Sequence, residues 1–213
     1  MSATRNLGIA AARGAYIGFL DADDRWLPNK LAQQVAILDA EPRTGMVYGR
    51  TKIWYSWQSD AAQEDFFYEL GVSPDRTYEQ PRLLYNLLPN RYQTPTTCNA
   101  LMRREAVAEV GEFDPTFRAM FEDQLFFAKI MARFPVHVSS RCWALYRQHE
   151  DATSAREADM EEVARAQARY LAALSQYLRT RPRFSRERLA VAQRLLAVRT
   201  RAAKLHLKRI AGR

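Results

Sequence analysis

A short apolar run that ends in acids frames the whole chain. Tyr16-Ile17-Gly18-Phe19-Leu20 is followed at once by Asp21-Ala22-Asp23-Asp24 and then Arg25-Trp26. The apolar run reads as a buried strand, and a strand needs no carboxylates at its tip for stability. Open α/β sheets bind ligands beyond the carboxyl ends of their strands. Acids placed there predict a site for a hard cation and the anionic group it accompanies. Side chains alternate along a strand, which puts Asp21 and Asp23 on one side and Asp24 on the other. Asp24 is then free to cap the next helix or to assist the site.

The flanking pattern predicts an α/β domain with a helical tail. Residues 3–13 read as a helix stopped by Gly14. Pro28 suits a first helical turn, and residues 30–39 carry Leu31, Val35 and Leu38 at helical spacing. Short strands are expected at 46–48, 53–55, 96–102 and 143–146. Helices are expected at 103–110 and 122–133, and residues 58–77, with Ser73-Pro74-Asp75, read as a loop that covers a site. Two long helices, 157–180 and 186–211, follow, broken at Arg181-Pro182-Arg183.

With 213 residues, 47% hydrophobic and 26% charged, the chain can bury a sizeable core. Cys98 and Cys142 stand far apart, which argues against structural zinc and a disulfide scaffold and for a reducing cytosol. No signal peptide and no bilayer-length apolar run is evident. The net charge of +8 belongs to the tail, because residues 179–213 hold twelve Lys/Arg against the single Glu187. On a helical wheel Arg186, Arg194, Arg201, Lys204 and Lys208 share one arc, and Val191, Leu195, Val198, Ala202 and Leu205 another. Such a helix can lie on an anionic membrane, face solvent, or pack on a partner helix. Nucleic acid is disfavoured, since no aromatic residues interleave the cations.

Several stretches together closely resemble family 2 glycosyltransferases. They are Arg5-Asn6-x-Gly8-Ile9; Ala12-x-Gly14-x-Tyr16-Ile17-x-Phe19-Leu20-Asp21-Ala22-Asp23-Asp24; and Trp26-x-Pro28-x-Lys30-Leu31. In the expected order come Arg103-Arg104-Glu105, Val110-Gly111-Glu112-Phe113-Asp114, Phe121-Glu122-Asp123, and Tyr146-Arg147-x-His149 with Ser154. The resemblance covers about residues 4 to 154. It implies a GT-A Rossmann-like mixed sheet flanked by helices and incomplete at the N-terminus, since the family's first two strands are not matched. Domain limits of 1–154 and a basic helical extension at 155–213 follow. The helix at 3–13 would be the crossover of a βαβ unit whose first strand is absent. A truncated member, a misplaced start or a remnant is therefore expected, and such a chain by itself should be poorly stable and without measurable transfer.

The resemblance also implies chemistry. The donor is a nucleotide-diphospho-sugar, held with Mg²⁺ or Mn²⁺, and the acceptor is a glycan, a lipid-linked glycan or a protein. Asp23 would hold the metal, and Asp21 the donor and the metal. Arg5 would contact the donor pyrophosphate or base, Asn6 would contact the donor, and Arg147 and His149 would lie beside the diphosphate. Asp123 would be the general base with Glu122 beside it, and a single base opposite the leaving group implies inversion. The expected setting is cytoplasmic or peripheral on an inner membrane, in polysaccharide or cell-envelope biosynthesis. Two other readings remain: a non-catalytic remnant serving membrane or partner association, and an Asp-dependent phosphohydrolase. A missing Thr after Asp21-Ala22-Asp23 speaks against the last.

Overall fold

The computed structural model describes residues 1–58, 63–117, 120–149, 159–180 and 184–211. The chain runs α1 (Ser2–Ala11), β1 (Tyr16–Gly18), β2 (Arg25–Trp26), α2 (Lys30–Ala40), β3 (Met46–Trp54), β4 (Arg76–Tyr78) and α3 (Arg82–Leu87). It continues through β5 (Leu101–Arg103), α4 (Arg104–Val110), α5 (Glu122–Arg133), β6 (Val136–Arg147), α6 (Met160–Arg179) and α7 (Ser185–Ala211). The strands form one mixed sheet in the order β1-β5-β3-β6-β2, with β4 also paired to β6. Strands β3 and β6 run parallel from Met46 opposite Val136 to Trp54 opposite Arg147. The other pairings are antiparallel. Strand β1 lies at one end of this order.

Helix α5 fills the centre, because Leu125, Phe126, Phe127, Ile130 and Met131 bury several of its faces. An apolar helix of this kind has to be covered by neighbours, and α3, α4 and α6 supply them. Tyr170, Leu171, Leu174 and Leu178 of α6 join the same core as α5, so the hydrophobic interior continues into the tail helices. The other side of the sheet carries α2 over a smaller cluster of Leu38, Val47, Leu101 and Trp143.

Four expectations need correction. The two strands at 46–48 and 53–55 are one strand with a bulge between Tyr48 and Thr51. The region 58–77 is not all loop: Phe66 bridges Ile53 and residues 76–78 form β4. The strand at 96–102 begins only at Leu101, since residues 97–99 form a turn. Helix α2 buries Lys30 and Gln34 together with Leu38, while Leu31 is exposed. Lys30 Nζ donates to Gln34 Oε1 at 2.6 Å and sits 4.5 Å from the Trp26 ring centre. Burial pulls the Lys30 ammonium down to about 8. The break at 181–183 and Ser154 lie outside the described residues.

The bulge in β3 depends on Gly49. A Cβ there would stand 2.3 Å from the Arg141 carbonyl oxygen and 2.8 Å from the Trp143 ring. Gly49 N–H instead donates to Asn99 Oδ1 at 2.8 Å, and its carbonyl accepts from Gln93 Nε2 at 2.6 Å. Replacing Gly49 by Ala is expected to cost about 3 kcal/mol or more, because backbone rather than a flexible side chain must move. Urea denaturation of the variant measures it.

Candidate active site

Strand β1 ends at Gly18, and residues 19–24 cross the end of the sheet as a turn rather than as more strand. Asp24 N–H closes that turn on the Asp21 carbonyl at 3.1 Å. Strand alternation therefore does not govern the three acids, and each meets a different environment. Asp21 accepts from Arg5 Nη2 through both oxygens, at 3.2 and 3.1 Å, and from Thr97 Oγ1 at 3.0 Å. Asp23 is more open and lies 3.2 Å from His149 Nε2. Asp24 is buried and caps no helix, since Asn29 precedes α2. Its Oδ1 accepts from the Arg147 N–H at 3.1 Å, and burial pushes its carboxyl up to about 6.

Arg5 joins this turn to the start of α5. While Nη2 holds Asp21, Nη1 donates to Glu122 Oε1 at 3.2 Å, and the side chains of Arg5 and Glu122 are only 10% and 7% exposed. The guanidinium also stands 5.5 Å from the Phe113 ring centre. Planar Arg suits this, because its fork serves two carboxylates at once. Arg5 is thus spent on the protein's own acids here, not displayed on the helix surface. Asn6 is likewise engaged: its side chain donates to the Phe113 carbonyl at 2.9 Å and accepts from the Phe113 N–H at 3.0 Å. These two residues dock α1 on the segment that leads into α5.

That segment enters the helix through Phe121, whose φ of 67° is left-handed. A bulky residue held there is strained, and the Tyr170 ring of α6 stacks on it at 5.7 Å. Glu122 and Asp123 then occupy the first turn, where the helix dipole favours carboxylates. Asp123 Oδ1 accepts from the Gln124 N–H at 2.7 Å. Burial and the neighbouring Glu122 charge nevertheless push Asp123 up to about 6. A carboxylate poised there can take a proton near neutral pH.

The last strand closes the group. The Arg147 guanidinium lies between two indoles, 5.2 Å from the Trp54 ring centre and 4.9 Å from that of Trp57. Trp57 Nε1 donates to the Gln148 carbonyl at 2.8 Å, which fixes the chain just before His149. Beside the site a cavity of about 310 Å³ is lined by Thr51, Ile53, Tyr68, Asn90, Tyr92, Thr96 and Tyr146 among others. Sequence reasoning missed Thr97, Trp54, Trp57 and Tyr170, since none stands in a recognisable motif. The buried stitch from Gln93 and Asn99 to Gly49 was equally invisible, although it positions the loop that bears Thr97.

Asp23 and His149 could hold a divalent cation. Among the described residues no three His, Cys, Asp or Glu side chains gather closely enough to form a complete protein cage. The donor set still fits, because Mg²⁺ and Mn²⁺ in phosphate-transfer sites rely on few protein ligands and take the rest from phosphate and water. The carboxylate oxygens of Asp23 suit Mg²⁺ or Mn²⁺.

A mixed sheet flanked by helices, with acids gathered between the end of β1 and the start of α5, is the arrangement of a GT-A type fold. Residues 1–111 match the glycosyl transferase family 2 profile, and the chain belongs to that family. It is 33% identical over 113 residues to the amylovoran biosynthesis glycosyltransferase AmsB of Erwinia amylovora, covering 53% of this chain and 35% of that protein. The chain thus spans about a third of that relative's length. In fold it is similar to Staphylococcus aureus TarS residues 1–349 in complex with UDP-GlcNAc, with TM-score 0.54, 18% identity, and coverage of 82% of this chain and 49% of that one. It is also similar to the mannosyltransferase PcManGT of Pyrobaculum calidifontis with GDP-Man and Mn²⁺, with TM-score 0.50, 18% identity, and coverage of 100% and 58%. Among the described residues no helix is long and apolar enough to cross a membrane.

Proposed function

We propose that the chain carries the catalytic residues for transfer of a sugar from a nucleotide-diphospho-sugar to an acceptor hydroxyl with inversion. The observation that supports this most is Arg5, which ties the acid at the donor turn, Asp21, to Glu122, the neighbour of the candidate base. Carboxylates tied together by an arginine that stands 117 residues before Glu122 serve a shared task better than they serve stability.

In this reading Asp123 accepts the acceptor hydroxyl's proton as that oxygen bonds to the anomeric carbon. The bond from the anomeric carbon to the diphosphate breaks, and its electron pair leaves with the nucleoside diphosphate. Mg²⁺ or Mn²⁺, when bound, supplies positive charge to the departing diphosphate. Asp23 and His149 would hold it, Asp21 would orient the donor, and Arg147 would add a fixed positive charge at the closing segment. The cavity walled by Tyr68, Tyr92 and Tyr146 offers flat apolar faces and hydroxyls, which suit a glycan acceptor. A biosynthetic role fits the name of AmsB, an amylovoran biosynthesis glycosyltransferase.

Calorimetric titration with UDP and with GDP, with and without Mn²⁺, tests this reading. One nucleotide should bind in a metal-dependent way, and Asp23→Ala should weaken that binding about tenfold or more without changing the melting temperature. Metal-independent binding, or unchanged affinity in the variant, would remove Asp23 from the cation site. No binding of either nucleotide would favour the non-catalytic reading.

A further inference from the structure

Helix α7 carries two apolar faces, and only one is covered. Val191 and Val198 are buried, and Leu195, Ala202 and Leu205 pack against the same core. The arc singled out from sequence is therefore taken by the fold, with α6 as its partner helix. Elsewhere on α7, Leu189, Leu196, Leu207 and Ile210 are 61%, 69%, 65% and 60% exposed. At 3.6 residues per turn, these four with Ala192 and Ala203 fall within an arc of about 60° and extend for about 30 Å. Exposed cations border this stripe on both sides: Arg188 and Arg199 along one edge, Arg186 and Lys204 along the other. The single acid of α7, Glu187, does not offset them, because it is buried and accepts from Tyr85 Oη at 2.9 Å.

We propose that α7 lies along an anionic lipid bilayer, with the Leu189–Ile210 stripe in the headgroup boundary and the flanking arginines and Lys204 on lipid phosphates. Charge decides the occupant. A second copy of the same stripe would set cations against cations, and a nucleic acid would leave the leucines without an apolar partner. An anionic bilayer satisfies both, and an amphipathic helix with cations beside its apolar face lies in the membrane plane rather than across it. The helix is presented already folded. Arg194 Nη2 donates to the Pro89 carbonyl at 3.0 Å, His206 Nδ1 lies 2.9 Å from Glu161 Oε1, and Arg209 pairs with Asp159 at 3.3 Å. The Pro89 contact also ties α7 to the loop that begins the cavity wall at Asn90. This inference rests on α7 alone and holds whether or not the chain transfers sugar.

Co-sedimentation of the full chain with vesicles tests it. The chain should bind vesicles of phosphatidylcholine with phosphatidylglycerol, fail to bind phosphatidylcholine alone, and release as salt is raised. Leu196→Glu with Leu207→Glu should weaken binding about tenfold or more, and Arg188→Gln with Arg199→Gln should weaken it and flatten the salt dependence. Both pairs are exposed, so melting temperatures should hold; if the leucine pair unfolds, the arginine pair still decides. Equal binding to both vesicle types, or binding untouched by the arginine pair, overturns the proposal. So does a wild-type oligomer, seen by sedimentation velocity without lipid, that the leucine pair dissociates, because the stripe would then join copies of the chain.

Discussion

In a form of the chain that also carries the family's first two strands, Asp123→Asn is expected to lower turnover by a factor of roughly 10² to 10⁴, the span of a lost general base, while donor affinity stays nearly constant. Asparagine keeps the shape and can still accept from the Gln124 N–H, so the α5 terminus should hold. The pH profile gives a second readout. With its carboxyl near 6 in the folded chain, Asp123 is ionised only above that pH, and wild-type kcat should rise through about pH 6 and level off. The variant's residual rate should lack that limb. The same shift fixes the sign for stability. A carboxyl whose folded value is raised favours folding below its unfolded value and loses that advantage as pH rises through about 6. Asp123→Asn should therefore be at least as stable as wild type at pH 8. Equal losses of affinity and turnover would make Asp123 a structural residue instead.

Arg5→Met is expected to destabilise the chain by about 3–5 kcal/mol, the usual cost of removing one partner from a buried charge network. Asp21 and Glu122 would each lose a cation, and Glu122 has almost no access to water. Lysine should rescue poorly, because one ammonium cannot reproduce a fork shared between two carboxylates. Arg5→Met with Glu122→Gln should recover part of the loss, since the second change removes the stranded charge. Urea denaturation of the wild type, Arg5→Met, Glu122→Gln and the double variant measures the coupling. An ordinary surface arginine would cost within about 0.5 kcal/mol, and that result would dissolve the bridge.

The helices were the most legible part of the fold. Residues 122–133 and 186–211 were expected as helices and are α5 and, within one residue at its start, α7, because apolar residues at helical spacing encode both. Strands were read less well. Residues 46–48 and 53–55 read as two short strands, yet they are one strand, β3, which bulges at Gly49 so that the Arg141 carbonyl can approach. Helix α2 was read with Leu31 inside, yet Lys30 and Gln34 are buried in its place. A buried amine paired with an amide leaves no hydrophobic period to detect.

The sequence by itself determined the family, the α/β class, the long helices and the candidate acids, since each is written in a local pattern of residue types. Only the tertiary structure decided what those acids do to one another. Asp21, Asp23 and Asp24 stand within four residues, yet one meets an arginine from α1, one a histidine after β6 and one a backbone amide of Arg147. It also decided which face of α7 is free, because a helical wheel shows two apolar arcs and cannot tell which of them α6 will cover. Periodicity along the chain reports what a segment can bury; the partner that buries it comes from elsewhere in the chain, where no local pattern records it.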